Sequence, residues 1–207
     1  MGTGFALKTE TLPLRFQTPD SWAAVPLSHL PALLSDHAYL ERKAASNALE
    51  LLNRWPSPHH PDTWETTLSA IARDEAAHLN AVVRQLRTRG WKLERLHRSL
   101  YAGELRMLVR MGKGTGEILD RLLVSAVIEA RSCERFEILG RCCPDPDLAE
   151  FYKSLHISER GHYTVFTELA GEILPRPEIE ARWDQILAAE AAIIQRQAPG
   201  PGIHSGL

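Results

Sequence analysis

Two copies of a Glu-x-x-His pattern place a carboxylate and an imidazole at a spacing that suits metal binding. They are formed by Glu75 with His78 and by Glu159 with His162. On a helix, residues three positions apart project from the same side. Both pairs fall on apolar stripes, where a carboxylate beside an imidazole is costly unless a charged partner is present. A metal ion is the commonest such partner, so the two pairs predict a metal site.

Two more carboxylates lie on the apolar stripes of other predicted helices. Glu41 is in register with Ala38 and Ala48, and Glu129 lies in the middle of the stripe of its own helix. The nearby Glu134 has charged residues on its own side and is expected to be solvated. The order Glu, Glu-x-x-His, Glu, Glu-x-x-His predicts a dinuclear site. Its six ligands would be Glu41, Glu75, His78, Glu129, Glu159 and His162.

The donor set indicates which metal ions would bind. Four carboxylates offset the charge of two divalent cations, so the buried site need not carry a large net charge. Mixed oxygen and imidazole ligands suit iron or manganese, and iron is favoured if the chemistry involves dioxygen. Asp74 precedes Glu75 and is well placed to hold the free ring nitrogen of a ligating histidine. The alternative is that these buried groups form internal ion pairs with arginines.

Long helices are needed to position these residues, and the helical periodicity of the apolar residues predicts them. The predicted helices span about 35–54, 62–90, 99–110, 115–141, 145–171 and 177–197. Start signals include Asp62 with Glu65 as a capping box, and Asp145 followed by Pro146. No strand pattern is present. The sequence therefore predicts an all-α protein.

The chain length and composition suit one globular domain. A chain of 207 residues with 44% hydrophobic and 24% charged content is long enough to bury a full core. We expect a single domain over 1–207, with the helical bundle at about 34–172. Residues 1 to about 30 are expected to form an irregular arm, and residues 198–207 a disordered tail.

The three cysteines and the absence of targeting signals bear on the compartment. Cys133, Cys142 and Cys143 are too few and too clustered for a disulfide framework, which favours a reducing compartment. Residues 1–10 show no secretory signal, and no apolar run approaches the length of a membrane span. We expect a cytoplasmic protein without a membrane segment.

Residues 84–113 are strongly basic. They contain nine of the 24 Lys and Arg residues of the chain, against two acids. Such a run is usually a solvated helix face, but a basic cluster also suits the phosphates of a nucleic acid. The third Glu-x-x-His pair, Glu94 with His97, lies here and is assigned to the surface. The glycine-rich loop 112–116 lacks the Ser or Thr that a phosphate-binding loop needs after its lysine.

Three stretches of the chain resemble one known family. Residues 74–80 (DEAAHLN), 129–136 (EARSCERF) and 158–163 (SERGHY) are similar to segments of the bacterial tRNA hydroxylases. Those enzymes oxidise the prenyl chain of methylthio-isopentenyl adenosine beside the anticodon. The resemblance covers about 34–195, with the motifs in the same order. It implies a ferritin-like four-helix bundle with additional short helices and an irregular N-terminal arm.

The resemblance also implies a mechanism and a division of the ligands. The protein would be a non-haem diiron monooxygenase that uses O2 and electrons from a separate reductase. Glu41 and His78 would serve one iron ion. Glu129 and His162 would serve the other. The remaining two glutamates of the ligand set, Glu75 and Glu159, would bridge both ions.

The partner implied by the resemblance is the anticodon stem-loop of a tRNA. The basic segment would hold its phosphates, and the modified base would reach the interior of the bundle. A monomer is favoured, and no residue pattern identifies the pocket. The proposed phosphate contacts, assigned from charge alone, are Arg84, Arg87, Arg89, Arg110 and Lys113.

Two other classes of function remain open. A ferritin-like or rubrerythrin-like iron oxidase or peroxidase would use the same six ligands without a nucleic-acid surface. The rubredoxin-like Cys-x-x-Cys pair that often accompanies such proteins is missing from this sequence. The other class is a metal-free helical binding module. It is disfavoured because six ionisable groups lie on four apolar stripes.

Overall fold

Long helices carry the apolar stripes that the periodicity predicts. The computed structural model describes residues 11–55, 61–95, 97 and 99–207. Within these ranges it contains a 3-10 turn at Asp20–Ala23, seven α-helices and no strand. The all-α prediction is confirmed. The helices are α1 (Ala24–Ser28), α2 (Leu30–Leu52), α3 (Trp64–Thr88), α4 (Leu100–Arg106), α5 (Thr115–Cys142), α6 (Pro146–Ile173) and α7 (Arg176–Arg196).

Four of these helices form the bundle. Helix α2 packs along α3, and α5 packs along α6. Only three residues, 143–145, join α5 to α6, so these two helices form a helical hairpin. The short helix α4 lies in the connection between the two helix pairs. The last helix, α7, packs on α5 and α4 and closes one side of the bundle.

The helix boundaries follow some of the predicted capping signals but not all of them. Asp145 caps α6, because its side chain accepts hydrogen bonds from the backbone N–H groups of Asp147 and Leu148. Ser99 caps α4 by accepting from the backbone N–H of Ala102, a cap that the sequence reasoning did not predict. The predicted capping box at Asp62 is wrong, since the residue before α3 is Thr63 and its side chain makes no capping bond. The prolines expected to end α2, at positions 56 and 58, lie outside the described residues.

The core divides into two hydrophobic clusters. One contains large side chains such as Trp64, Leu122 and Phe166. The other contains Phe136 and Tyr152. Each of the four bundle helices contributes to both clusters, and the predicted ligands lie where each helix passes from one cluster to the other. The cluster residues flanking these positions are Ala38 and Ala48 on α2, Ala72 and Val82 on α3, and Leu155 and Tyr163 on α6; on α5, Glu129 adjoins Ala130, the last residue of the first cluster before Phe136 of the second.

The C-terminal tail packs against the bundle, so the prediction that residues 198–207 are disordered is wrong. Ile203 is fully buried, and its backbone N–H donates to the Asp36 carboxylate at 2.8 Å. The indole N–H of Trp22 donates to the Ser205 hydroxyl at 3.0 Å. A Cβ at Gly206 would lie 1.7 Å from the carbonyl oxygen of Gln197, so only glycine allows this close return of the chain. The Pro-Gly composition suggested flexibility, but the bundle supplies a buried position and hydrogen-bond partners.

Residues 11–28 of the predicted N-terminal arm are more ordered than an irregular arm, and residues 1–10 lie outside the described residues. Residues 11–19 are irregular, but residues 20–28 form the 3-10 turn and α1. Trp22 and Ala23 are buried there and pack in the same cluster as Leu33 and Leu34 of α2. No helix in the described part of the chain has both the length and the apolar character required to cross a membrane.

Candidate metal centre

Each bundle helix brings one carboxylate into the boundary between the two hydrophobic clusters. Glu41 of α2, Glu75 of α3, Glu129 of α5 and Glu159 of α6 are all buried. The imidazole of His162 is buried as well, and the side chain of His78 is 13% exposed. The six predicted ligands therefore all face the interior.

Four of the six residues form a tight group. Ligand atoms of Glu41, Glu75, His78 and Glu159 all lie within 4.8 Å of one another. His162 joins the group through two carboxylates, since its Nδ1 is 2.7 Å from Glu75 and 3.4 Å from Glu159. We call the six residues Glu41, Glu75, His78, Glu129, Glu159 and His162 the core cluster.

Two carboxylates of the core cluster lie between the two imidazoles. Glu75 turns Oε1 toward Nδ1 of His162 at 2.7 Å and Oε2 toward Nδ1 of His78 at 3.7 Å. Glu159 has the mirrored arrangement, with Oε1 3.1 Å from His78 and Oε2 3.4 Å from His162. In each carboxylate, one oxygen faces each histidine. This is the arrangement that a carboxylate needs to bridge two ions.

The other two carboxylates lie at the edges of the core cluster. Oε2 of Glu41 is 3.6 Å from Nδ1 of His78. Glu129 lines the same cavity as Glu41, Glu75 and Glu159. It also interacts electrostatically with Glu159, which raises the pKa of the Glu129 carboxyl in addition to the larger effect of burial.

The atoms that would hold metal ions lack other partners. Among the described residues, no hydrogen bond satisfies either oxygen of Glu75 or Glu159, or Nδ1 of His78 or His162. These atoms are close to one another but are not aligned as donors and acceptors. A buried polar atom without a partner costs about 1–3 kcal/mol, so six together require an explanation. Divalent cations would satisfy them all, and the residues therefore fit a dinuclear metal centre.

The pKa shifts of Glu41, Glu129 and the two imidazoles of the core cluster favour protonation of these groups, and bound metal ions would supply positive charge in place of these protons. Burial raises the pKa of Glu41 and Glu129 well above the usual value. Burial opposes the charged form of His78, but Glu159 and Glu41 outweigh it and raise the His78 pKa to about 12. The same balance raises the pKa of His162 to about 10. Metal binding would displace these protons, because ligating imidazoles and carboxylates must be deprotonated.

The outer ring nitrogens of the two histidines face residues of the opposite helix. Nε2 of His78 is 3.0 Å from the hydroxyl of Ser158. Nε2 of His162 is 3.9 Å from the Asp74 carboxylate, which also forms an ion pair with Arg73. The sequence predicts that Asp74 lies beside one of the two ligating histidines. In the structure that histidine is His162 of α6.

A cavity of about 380 Å³ opens onto the core cluster from the side of α2, α4 and α5. Its inner end is formed by Glu41, Glu75, Glu129 and Glu159. Its walls combine apolar side chains with a few polar groups. The apolar and uncharged polar side chains of the walls include Leu40, Asn47, Val109, Val124, Ser125, Ile128, Ser132, Phe136 and His204. The volume suits a small organic group beside the metal centre.

Four cations line the same cavity, and the sequence reasoning did not single them out. They are Arg42 and Lys43 of α2, Arg106 of α4 and Arg121 of α5. We call these four residues the rim cations. Arg121 pairs with Glu117, whereas Arg106 makes no ion pair with any described residue. Of the rim cations, only Arg106 lies in the basic segment 84–113.

The five cations that were assigned to tRNA differ in their surroundings. Arg84, Arg87 and Lys113 are exposed. Arg89 pairs with Asp145 at 2.6 Å, and Arg110 pairs with Asp120 at 2.8 Å. The last two therefore have structural partners within the chain. Arg98 of the same basic segment lies outside the described residues.

Internal ion pairing with arginine, the alternative to a metal site, is found in a second group of buried acids. Glu190 of α7 is fully buried and accepts hydrogen bonds from Arg131 at 2.8 Å and from the Tyr101 hydroxyl at 2.9 Å. Glu134 is buried as well, contrary to prediction, because it contacts Arg131 and accepts from the N–H and hydroxyl of Thr18. These acids pair with a cation of the chain itself. Among the described residues, no arginine forms an ion pair with the core cluster.

The third Glu-x-x-His pair is not part of the core cluster. Glu94 is exposed, as expected, but His97 is partly buried and forms a 2.6 Å contact with Asp36. His97 also contacts the Lys43 ammonium at 3.0 Å and stacks on Tyr39. The pair therefore anchors the connector before α4 to α2.

Comparison with known proteins places these features in a family. Residues 6–205 match the family described as tRNA-(MS2IO6A)-hydroxylase (MiaE). A relative from Pseudomonas putida named "tRNA 2-(methylsulfanyl)-N(6)-isopentenyladenosine(37) hydroxylase" is 37% identical over 190 residues, covering 92% of this chain and 90% of the relative. A protein of the same name from Salmonella typhimurium is 28% identical, covering 94% and 88%.

One solved structure is also similar over nearly the full length. It is described as "Protein 43 with aldehyde deformylating oxygenase activity from Synechococcus". The two chains are 33% identical, with a TM-score of 0.86 over 93% of this chain and 96% of the other. The ferritin-like helical fold is thereby confirmed.

Proposed function

The chain belongs to the tRNA-(MS2IO6A)-hydroxylase family, and on that basis we propose that it is a diiron monooxygenase acting on tRNA. Its substrate would be the isopentenyl side chain of the hypermodified adenosine next to the anticodon. The observation that carries the proposal is the core cluster, whose unpartnered oxygen and nitrogen atoms meet at the inner end of a cavity. Family membership supports the proposed reaction, and the core cluster supports the proposed location of the metal site.

The distances around the two histidines support part of a specific division of the ligands, and the family resemblance suggests the rest. Glu41 and His78 would hold one iron ion, since Oε2 and Nδ1 of these residues are neighbours at 3.6 Å. Glu129 and His162 would hold the other. The two carboxylates that face both histidines, Glu75 and Glu159, would bridge the ions. The bound iron pair would supply the activation of O2.

The reaction balances with an external donor. One oxygen atom of O2 enters a C–H bond of the prenyl group as a hydroxyl, and the other leaves as water. Two electrons and two protons are therefore needed, and we propose a separate reductase as the electron source. Because tRNA is the substrate, we propose that the protein acts in the cytoplasm.

The role of the chain in this reaction is to admit, orient and shield the substrate. The apolar cavity walls, such as Val124 and Ile128, would exclude water around the prenyl group. Of the rim cations, the exposed Arg42 and Arg106 would contact phosphates as the modified base leaves the anticodon stack. The exposed Arg84, Arg87 and Lys113 of the basic segment would extend that contact along the stem-loop. Arg89 and Arg110 are less suited because they already have carboxylate partners.

The first experiment combines metal analysis with a tRNA assay. We expect about two iron ions per chain in the wild-type protein and a loss of both in the His78→Ala/His162→Ala double variant. With a reductase and O2, the wild-type protein should hydroxylate tRNA bearing the prenylated adenosine. A wild-type protein that contains no metal and takes up no added ferrous iron would contradict the proposal.

A second candidate substrate is an aldehyde, because the similar solved structure is described by an aldehyde deformylating activity. The apolar wall of the cavity suits an alkyl chain as well as a prenyl group. The rim cations favour tRNA, since an uncharged aldehyde tail would not require them. Parallel turnover assays with tRNA and with an aldehyde decide between the two substrates. Iron oxidation with neither substrate would instead favour the ferritin-like or rubrerythrin-like alternative.

A further inference from the structure

His37 is a fully buried histidine beside the core cluster. It lies one helical turn before Glu41 on α2, and its side chain is 0% exposed. Nε2 of His37 is 2.5 Å from Oε1 of Glu41. The rings of Phe136 and Tyr152 pack against the imidazole, with centroid distances of 4.7 and 5.6 Å. The ring therefore has a fixed orientation and contacts one proposed ligand directly.

The surroundings of His37 determine which nitrogen carries the hydrogen. Nδ1 has no hydrogen-bond partner among the described residues. An ionised carboxylate only accepts hydrogen bonds. Nε2 must therefore be the protonated nitrogen when Glu41 is ionised, and it donates to Oε1.

This hydrogen bond gives the two oxygens of Glu41 different roles. Oε1 accepts from His37, whereas Oε2 faces Nδ1 of His78 at 3.6 Å. We propose that His37 is a positioning residue that holds Glu41 with Oε2 directed into the metal centre. The proposal rests on the proposed function of the core cluster as a metal centre. It extends that function to a residue outside the six ligands.

The equivalent position on α5, one helical turn before Glu129, lacks a side chain that donates to the carboxylate. Ser125 lies one helical turn before Glu129 on α5, and its hydroxyl donates to the carbonyl oxygen of Arg121 at 2.8 Å. Ser125 also accepts a hydrogen bond from the Asn47 amide at 2.9 Å. The positioning effect therefore applies to the ion that Glu41 serves and not to the ion that Glu129 serves. Loss of His37 should weaken one of two ions.

The test is an anaerobic titration of the metal-free protein with ferrous iron. His37→Phe keeps a ring of similar size in the aromatic surroundings but removes the donor. We expect the wild-type protein to bind two ions and His37→Phe to bind one of them ten- to a hundred-fold more weakly, which is the usual effect of losing a ligand's hydrogen-bond partner. His37→Gln retains an N–H donor and should restore most of the affinity. The metal-free His37→Phe protein should unfold at a temperature close to that of the wild type.

Two controls keep the result interpretable. His156→Phe makes the same change in a histidine of α6 that contacts Cys133, and it should leave both affinities unchanged. His37→Leu is a second donor-free variant for the case in which His37→Phe fails to fold. If the wild type binds no iron, the proposed function itself is overturned. If the wild type and both donor-free variants bind two ions equally well, only the positioning role of His37 is overturned.

Discussion

The hydroxyl of Ser158 lies 3.0 Å from Nε2 of His78, so the residue before one Glu-x-x-His pair contacts the histidine of the other pair. Asp74, which precedes the first pair, faces His162 in the same crossed manner at 3.9 Å. Helices α3 and α6 thus support each other's metal-binding imidazoles. The support is unequal, because a hydroxyl serves one histidine and a carboxylate serves the other. This crossing leads to the first prediction.

Ser158→Ala should weaken the binding of one iron ion about tenfold or more, because the imidazole of His78 loses its outer hydrogen-bond partner. The effect should disappear in a His78→Ala background and persist in a His162→Ala background. Ferrous iron titrations of the wild type, the three single variants and the two double variants measure these two double-mutant cycles. An equal effect of Ser158→Ala in both backgrounds would contradict the crossed arrangement.

Glu129→Gln and Glu134→Gln should have opposite effects, although the two residues lie close together on α5. Glu129→Gln should abolish binding of the ion that Glu129 serves while leaving the metal-free protein at least as stable, since burial raises the pKa of this carboxyl and disfavours its charge. Glu134→Gln should keep both ions but lower the free energy of unfolding by about 1–3 kcal/mol, because Arg131 loses an ionised partner. Iron analysis and urea denaturation distinguish the two. Retention of two ions by Glu129→Gln would remove it from the ligand set.

Arg42→Ala combined with Arg106→Ala should weaken tRNA binding about tenfold or more. Each lost phosphate contact should also lower the dependence of log Kd on log salt concentration by about one unit. Binding titrations with the prenylated tRNA at several salt concentrations measure both effects. Lys153→Ala is the matched control, because Lys153 is an exposed cation of α6 that does not line the cavity. Unchanged affinity and salt dependence in the double variant would exclude the rim cations from tRNA binding.

His204 should make the protein less stable as the pH falls below 6.5. Burial lowers the pKa of His204 to about 3, assisted by Arg135, Arg131 and His37 and opposed by Asp36. Between about pH 6.5 and 3 the unfolded chain therefore binds a proton at this residue and the folded protein does not. The free energy of unfolding then decreases by about 1.4 kcal/mol for each pH unit in that window.

The measurement is urea denaturation of the wild type and His204→Asn at pH 7.5 and pH 5. The wild type should lose about 2 kcal/mol more than the variant between these pH values. The comparison between the two proteins removes the contribution of other titrating groups. An identical pH dependence would show that His204 titrates normally and that the tail opens before the bundle unfolds.

The sequence by itself determined the apolar stripe of each bundle helix and the ligand carboxylate within it. Helical periodicity is a local property, so the apolar stripes and the carboxylates within them follow from spacing alone. Glu41, Glu75, Glu129 and Glu159 were all predicted to be buried, and all are. The capping of α6 by Asp145 and Pro146 was equally readable, because a cap involves only its own helix turn.

Only the tertiary structure decided what each buried carboxylate meets. Glu190 lies on an apolar stripe of α7 as regularly as Glu159 does on α6, yet it pairs with Arg131 and Tyr101, whereas Glu159 lies between two histidines. The partner depends on which helices are neighbours and how they are turned, and spacing along one helix does not contain that information. For the same reason, the sequence did not predict that Ile203 of the tail is buried or that the rim cations line the cavity. Their partners and positions come from distant parts of the chain, which only the folded protein brings together.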